Sequence, residues 1–170
     1  MGLAINRSEF LQGDLSNRSR PIRPPWSLPE MVFREQCTSC GDCLEKCPTN
    51  IIEFGRGKIP VINFDKGECL FCQDCLNACI PKALVKKENQ APWLYKSSID
   101  IDQCLAYKAV ECRSCQDPCE SRAIRFISMA GQIDKPDIDL NLCNGCGACY
   151  SVCPTHAISM NQTQDLQHEH

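Results

Sequence analysis

Sixteen cysteines gather in four runs along the chain. In the first, Cys37, Cys40, Cys43 and Cys47 stand at C-x2-C-x2-C-x3-C spacing with Pro48 directly after, and in the last, Cys143, Cys146, Cys149 and Cys153 with Pro154 repeat it in full. The second run, Cys69, Cys72, Cys75 and Cys79, keeps the cysteine steps but places Ile80 before Pro81. The third departs further. Cys104 and Cys112 are separated by seven residues, after which Cys112, Cys115 and Cys119 resume the ordinary steps, with Pro118 before the last cysteine and Glu120 after it. Three thiolates at three-residue intervals in a tight turn can hold three corners of an iron–sulfur cube. The fourth then arrives from one helical turn further on, or from elsewhere in the chain.

Zinc and disulfides fit the pattern less well. Zinc sites ordinarily pair two C-x2-C motifs, or one such motif with a His pair, across a dozen or more residues. Histidine is scarce here: His156 follows the last run, and His168 and His170 end a polar tail. Dense cysteine in a short chain ordinarily marks a stapled secreted domain. Residues 1–25, however, hold no apolar segment that drives secretion, since Leu3, Ala4 and Ile5 are followed at once by Asn6, Arg7, Ser8 and Glu9. Four runs of closely spaced thiols also suit one repeated cofactor better than a set of disulfide partners. The expectation is a cytoplasmic protein in a reducing compartment, with all sixteen cysteines as ligands and four [4Fe-4S] clusters as cofactors. Cys104 is the least regular of the sixteen, open to displacement or to holding a three-iron or labile cluster.

Composition indicates where the folding energy comes from. Aromatic residues are only 6% and the apolar residues lie in short runs, so ligation must organise much of the fold and the metal-free chain should be largely disordered. No stretch approaches the roughly 20 apolar residues of a membrane-spanning helix. The formal charge of −3 counts cysteine as neutral; each oxidised cube with four thiolates adds roughly −2. Such an acidic body is a poor partner for nucleic acid. No Ser-His-Asp or Cys-His constellation and no phosphate-cradling Gly-rich loop is present, so the expectation is a protein that is not itself an enzyme. Lys46, Lys82, Arg113 and Arg122 flank the runs, where cations either tune cluster potential or sit on solvated faces.

The elements that must position these thiolates repeat with them. Each run ends in a similar phrase, Cys47-Pro-Thr-Asn-Ile-Ile, Cys79-Ile-Pro-Lys-Ala-Leu, Cys119-Glu-Ser-Arg-Ala-Ile and Cys153-Pro-Thr-His-Ala-Ile, whose closing Ile or Leu should pack against a cube. Short β-branched leads precede the runs: Met31-Val-Phe33, Val61-Ile-Asn-Phe64, Ile99-Asp-Ile101 and Ile138-Asp-Leu140. These read as strands of two-stranded ribbons. The chain accordingly divides into an extended arm (1–30), a first unit (31–85), a polar linker (86–98), a second unit (99–160) and a disordered tail (161–170). In the linker, Trp93 and Tyr95 cover the interface between the units or, less simply, form a docking surface. The arm runs Arg18-Ser-Arg-Pro-Ile-Arg-Pro-Pro-Trp26 with no helix or strand period. It suits polyproline II geometry and presents Arg23 and Trp26 to a partner, or folds back on the acidic body. Asn6 to Leu11 is a degraded twin-arginine motif lacking an apolar segment, and Met1-Gly2 lacks the Ser or Thr at position six of a myristoylation signal.

The arrangement resembles the bacterial dicluster ferredoxin fold over about residues 30–160: an α+β architecture with low regular secondary structure, in which two pseudo-two-fold units of short ribbons and small helices surround [4Fe-4S] cubes. The resemblance implies that three cysteines of one run and the fourth of its partner share a cube. For adjacent runs the sets are Cys37, Cys40, Cys43 with Cys79; Cys69, Cys72, Cys75 with Cys47; Cys104, Cys112, Cys115 with Cys153; and Cys143, Cys146, Cys149 with Cys119. A nested pairing, first run with fourth and second with third, is equally compatible with the spacing. The Ile22-Arg-Pro-Pro-Trp-Ser27 stretch, the four runs and the aberrant third run together are similar to the NapF family of ferredoxin-type accessory proteins of periplasmic nitrate reductase systems. That resemblance implies a cytoplasmic polyferredoxin whose partner is the precursor of the catalytic molybdenum subunit, NapA. The protein would assist that subunit's maturation before export by supplying electrons or loading an iron–sulfur cluster. A general electron-transfer ferredoxin between a reductase and an acceptor is the alternative.

Overall fold

The computed structural model describes residues 21–88, 90–128 and 130–163. Three antiparallel two-stranded ribbons carry the backbone pairing. Strand β1 (Ile52–Phe54) pairs β2 (Pro60–Ile62), β3 (Tyr95–Ile99) pairs β6 (Ile158–Gln162), and β4 (Ile124–Ile127) pairs β5 (Lys135–Ile138). A fourth pairing is reduced to one bridge between Ser27 and Leu84. Each hairpin links the strand leaving an odd-numbered run to the lead of the next run, and each outer pair brings the lead of an odd run against the strand leaving the following even one.

One hydrogen bond recurs at all four junctions. The residue that ends each lead donates its N–H to the carbonyl four residues after the last cysteine of a run: Leu28 to Ala83 (3.1 Å), Asn63 to Ile51 (2.8 Å), Asp100 to Ala157 (2.8 Å) and Asp139 to Ala123 (2.8 Å). The carbonyl-bearing residues Ile51, Ala83, Ala123 and Ala157 are buried, as are their successors Ile52, Leu84, Ile124 and Ile158. The closing phrases thus fold alike even though their sequences vary.

This register corrects two expectations. The lead of the first run is not Met31-Val-Phe33, which lies in helix α1 (Glu30–Gln36); Phe33 alone is buried there and Met31 is 78% exposed. With Pro29 before the helix, Glu30 in its first turn and an i,i+4 pair from Arg34 to Glu30, that segment has helical rather than strand logic. The true lead is Ile22–Leu28, so the expected arm is not free at its C-terminal end. Pro24 and Pro25 are fully buried and Trp26 is 7% exposed. Trp26 donates to Pro92 O (2.6 Å) and accepts from Val85 N (2.8 Å), and Ile22 accepts from Ile62 N (2.8 Å). The Arg23 guanidinium binds both carboxylate oxygens of Glu30 (2.8 and 2.7 Å) and Pro60 O (2.9 Å), and lies over the Phe33 ring. Prolines erase strand periodicity but their rings are apolar, and an edge lead needs few N–H donors. Residues 1–20, with the twin-arginine-like and Met1-Gly2 signals, lie outside the described residues.

Two boundaries move for the same reason. Residues 95–98 of the expected linker belong to β3. The expected tail begins inside β6, whose end is fastened by Thr163 donating to Leu94 O (2.7 Å). His168 and His170 fall outside the described residues. The larger core joins Trp26, Phe33, Ile51, Ile52, Ile62, Phe64 and Leu84 to Trp93 and Met160; a smaller one groups Ile124, Cys149 and Ile158. Trp93 sits edge-on to Phe64, Phe71 and Tyr95, covering the seam between the halves as the sequence suggested.

Candidate metal centre

In three of the four runs the loop around the second cysteine has the same backbone shape. The residue before it and the residue after it both take positive φ: Ser39 and Gly41 around Cys40, Phe71 and Gln73 around Cys72, Gly145 and Gly147 around Cys146. Alternating left- and right-handed residues turn successive N–H groups toward one side, the nest that favours anionic groups and recurs at iron–sulfur sites. Each loop then enters a single helical turn bearing the third cysteine: α2 (Asp42–Glu45), α3 (Asp74–Asn77) and α4 (Ala148–Ser151). Every run ends alike. The third residue after the last cysteine is left-handed (Asn50, Lys82, Arg122, His156) and donates to that cysteine's carbonyl at 2.9–3.2 Å.

The third run lacks the first two features. Glu111 and Arg113, beside Cys112, are not left-handed, and residues 114–118 form a turn without a helix. Pro118 supplies the reason. It occupies the position of Lys46 and Ala78, whose N–H groups bond Asp42 O and Asp74 O at 3.1 and 3.0 Å, and proline has no N–H to give. The extra residues after Cys104 fold into their own turn, with Val110 N bonded to Leu105 O, Ala106 buried, and Tyr107 reaching Pro136 O.

The thiols enclose spaces rather than points. One pocket has Cys37, Cys40, Cys43 and Cys79 in its wall, with Phe33 and Leu84. A second has Cys47, Cys69, Cys72 and Cys75, with Trp26 and Ile52. Each therefore takes three thiols from one run and the fourth from its neighbour, and Ile52 and Leu84, the closing residues of their phrases, face the cavities as expected. In the second half Cys149, Cys104 and Cys112 are the thiols that add electrostatically to the burial of Cys115, so the long step leaves Cys104 within electrostatic reach of it. Cys146, Cys143 and Cys119 act in the same way on Cys149. Among the described residues, no three His, Cys, Asp or Glu side chains converge on a single-ion site. Soft sulfur donors around an apolar-walled space suit an iron–sulfur cube and not a hydrated divalent cation.

The electrostatics of these cavities follow from burial. Burial, with neighbouring thiols adding to it, pushes Cys43, Cys69, Cys75 and Cys115 up to about 12 and Cys149 to about 11. Loading must therefore expel protons. Cys47 differs. Burial alone would raise it, but the Thr49 hydroxyl at 3.5 Å and backbone groups of Ile51, Thr49 and Ile52 hold it below the ordinary thiol value. The hydroxyls of Ser121 and Thr155 stand in the same place beside Cys119 and Cys153.

Sequence reading missed Ser97. It is 2% exposed on β3, with Oγ 3.2 Å from Cys149 Sγ and a longer contact to Cys143 Sγ. A thiolate has no proton, so in the loaded site the hydroxyl must be the donor. By register Ser97 corresponds to Pro25 in the first half: Ser97 precedes Ile99, which pairs Ile158, by two residues, as Pro25 precedes Ser27, which bridges Leu84. Only pairing reveals this equivalence. Of the cations singled out, Arg113 pairs with Asp134 and lies over the Phe126 ring at 4.7 Å. Lys82 and Arg122 contribute their left-handed backbone.

Comparison with known proteins agrees with this chemistry. The 4Fe-4S dicluster domain family matches residues 36–83 and the 4Fe-4S binding domain family residues 136–159. Those matches contain the first, second and fourth runs and leave the third between them. The ferredoxin-type protein NapF of Escherichia coli (strain K12) is 41% identical over 170 residues, spanning the whole of both chains. NapF of Haemophilus influenzae is 42% identical, covering 92% of this chain and 94% of its own. The methylamine utilization ferredoxin-type protein MauM of Methylobacillus flagellatus is 30% identical, covering 90% of this chain and 74% of its own. Thiol-lined cavities, repeated [4Fe-4S] signatures and full-length similarity lead to one conclusion: the chain binds [4Fe-4S] clusters and belongs to the ferredoxin-type NapF family.

Proposed function

We propose that the chain holds four [4Fe-4S] clusters, one per set of adjacent-run thiolates. In this reading Cys37, Cys40, Cys43 and Cys79 hold the first; Cys69, Cys72, Cys75 and Cys47 the second; Cys104, Cys112, Cys115 and Cys153 the third; Cys143, Cys146, Cys149 and Cys119 the fourth. The observation that carries the pairing is the division of eight thiols between two cavities, each with three from one run and one from the next. The bound clusters supply one-electron redox capacity. The protein's own part is to gather the thiols around each cavity, to shield them with apolar walls such as Trp26 and Leu84, and to tune them through hydroxyls such as Thr49 and Ser97.

With its similarity to NapF, this reading makes the protein a cytoplasmic electron source or cluster-loading factor for the precursor of the periplasmic nitrate reductase catalytic subunit, without a substrate reaction of its own. One observation favours the second reading, a general electron carrier. Arg23 and Trp26, the residues best suited to hold a client, are occupied inside the fold. Anaerobically purified protein should contain about 16 Fe and about 16 acid-labile sulfides; about half of each would mean idle runs. Co-purification of the reduced holoprotein with the catalytic-subunit precursor, and iron transfer to it, separates maturation from simple electron carriage. Reduction of the precursor without stable association would leave the carrier reading.

A further inference from the structure

The two halves meet at cluster ligands. Cys69, first of the second run, donates its backbone N–H to the carbonyl of Cys146, second of the fourth, at 2.8 Å. The surrounding packing holds this contact tightly. Trp93 Nε1 donates to Asn144 O at 3.2 Å, and Lys96 Nζ bonds Cys143 O. A Cβ on Gly145 would fall 2.2 Å from Tyr95 O, and one on Gly147 2.1 Å from Phe64 Cδ1. The fourth run's loop is thus pressed against Phe64 of the first half at Gly147 and against β3 of its own half at Gly145, and glycine at both left-handed positions lets it approach.

We infer that electrons cross between the halves at the Cys69–Cys146 contact, so that the redox order is first, second, fourth, third, and not the order of the runs in the sequence. This rests on the four-cluster reading above. The second and fourth sets become inner relays, and the first and third become the two ends. At the crossing one electron leaves the reduced second cluster and enters the oxidised fourth. No bond forms or breaks and no proton moves. The reductant is whatever one-electron donor first loads either end.

The test is magnetic interaction in the fully reduced holoprotein, measured by pulsed dipolar EPR beside iron analysis. The wild type should give three short interspin distances, two within halves and one across. Cys40→Ser or Cys112→Ser, each removing an end cluster, should leave two short distances, whereas Cys72→Ser, removing an inner one, should leave one. Two short distances in wild-type protein with full iron would overturn the crossing. Loss of the cross-half interaction in Cys40→Ser or Cys112→Ser would overturn the order. Where a variant does not assemble, the wild-type count still decides whether the halves are coupled. An iron content near half would sink the four-cluster reading instead, so the two failures are distinguishable.

Discussion

The third run and the other three solve the same problem with different backbones. Around Cys40, Cys72 and Cys146, paired left-handed residues curl the chain into a nest and a helical turn then lifts the third cysteine into place. Around Cys112 neither device exists, because Pro118 cannot close the turn and seven residues stand where two suffice elsewhere. Even so Cys104 and Cys112 still act electrostatically on Cys115, and the phrase after Cys119 folds like its counterparts. The exit of a run is therefore the rigid part of the unit. Its approach tolerates remodelling, at the loss of N–H groups that offset cluster charge.

Four experiments bear on that contrast, beginning with the largest effect. Cys40→Ser and Cys112→Ser should each cost about four Fe, but the first should also lower the ordered secondary structure and melting temperature of its half, with the second cluster retained, since ligation is folding energy there. An equal or greater loss of secondary structure in Cys112→Ser would reverse the contrast. Next, Gly147→Ala should destabilise the holoprotein by about 2–4 kcal/mol, from a left-handed φ and the clash with Phe64. Arg113→Ala, at the matching position of the third loop, should cost only about 0.5–1 kcal/mol through its exposed ion pair and ring contact. Thermal melts that rank the two the other way would show that the third loop is equally constrained.

Kinetics offer a finer test. An iron chelator added to the reduced protein should strip about four Fe in a fast phase, and Cys112→Ser should abolish that phase. A single phase for all the iron would mean that the missing nest has no consequence for retention. The smallest effect concerns tuning. Ser97→Ala should lower the potential of one cluster by up to about 59 mV, a tenfold change in a one-electron equilibrium, with iron content and the remaining potentials unchanged. A potentiometric titration indistinguishable from wild type would make Ser97 a packing residue only.

Cysteine spacing was sufficient to recognise the cofactor because three of the four loops are local: three thiols within seven residues can reach one cube whatever the rest of the chain does. The closing phrases were legible for the same reason, their buried pair following the last cysteine at a fixed distance. Ile22 to Leu28 was not. A lead strand containing Pro24 and Pro25 has no alternation, and its single bridge to Leu84 depends on a residue nearly sixty positions away. Met31-Val-Phe33 misled because three adjacent apolar residues fit a short strand and one helical turn equally well. Ser97 was invisible because a serine in a polar stretch carries no signal until β3 pairs with β6 and turns it toward Cys149.

What the sequence determined by itself was the cysteine inventory, the kind of cofactor and the fourfold repeat, all consequences of short-range chain geometry and thiolate chemistry. Tertiary structure alone decided which run lends its fourth thiol to which cavity, where the two halves touch, and that Trp26 is core. Those outcomes depend on contacts between distant segments, where backbone pairing, the close approach allowed at Gly145 and Gly147, and burial of a few aromatic rings choose among arrangements that spacing leaves equal.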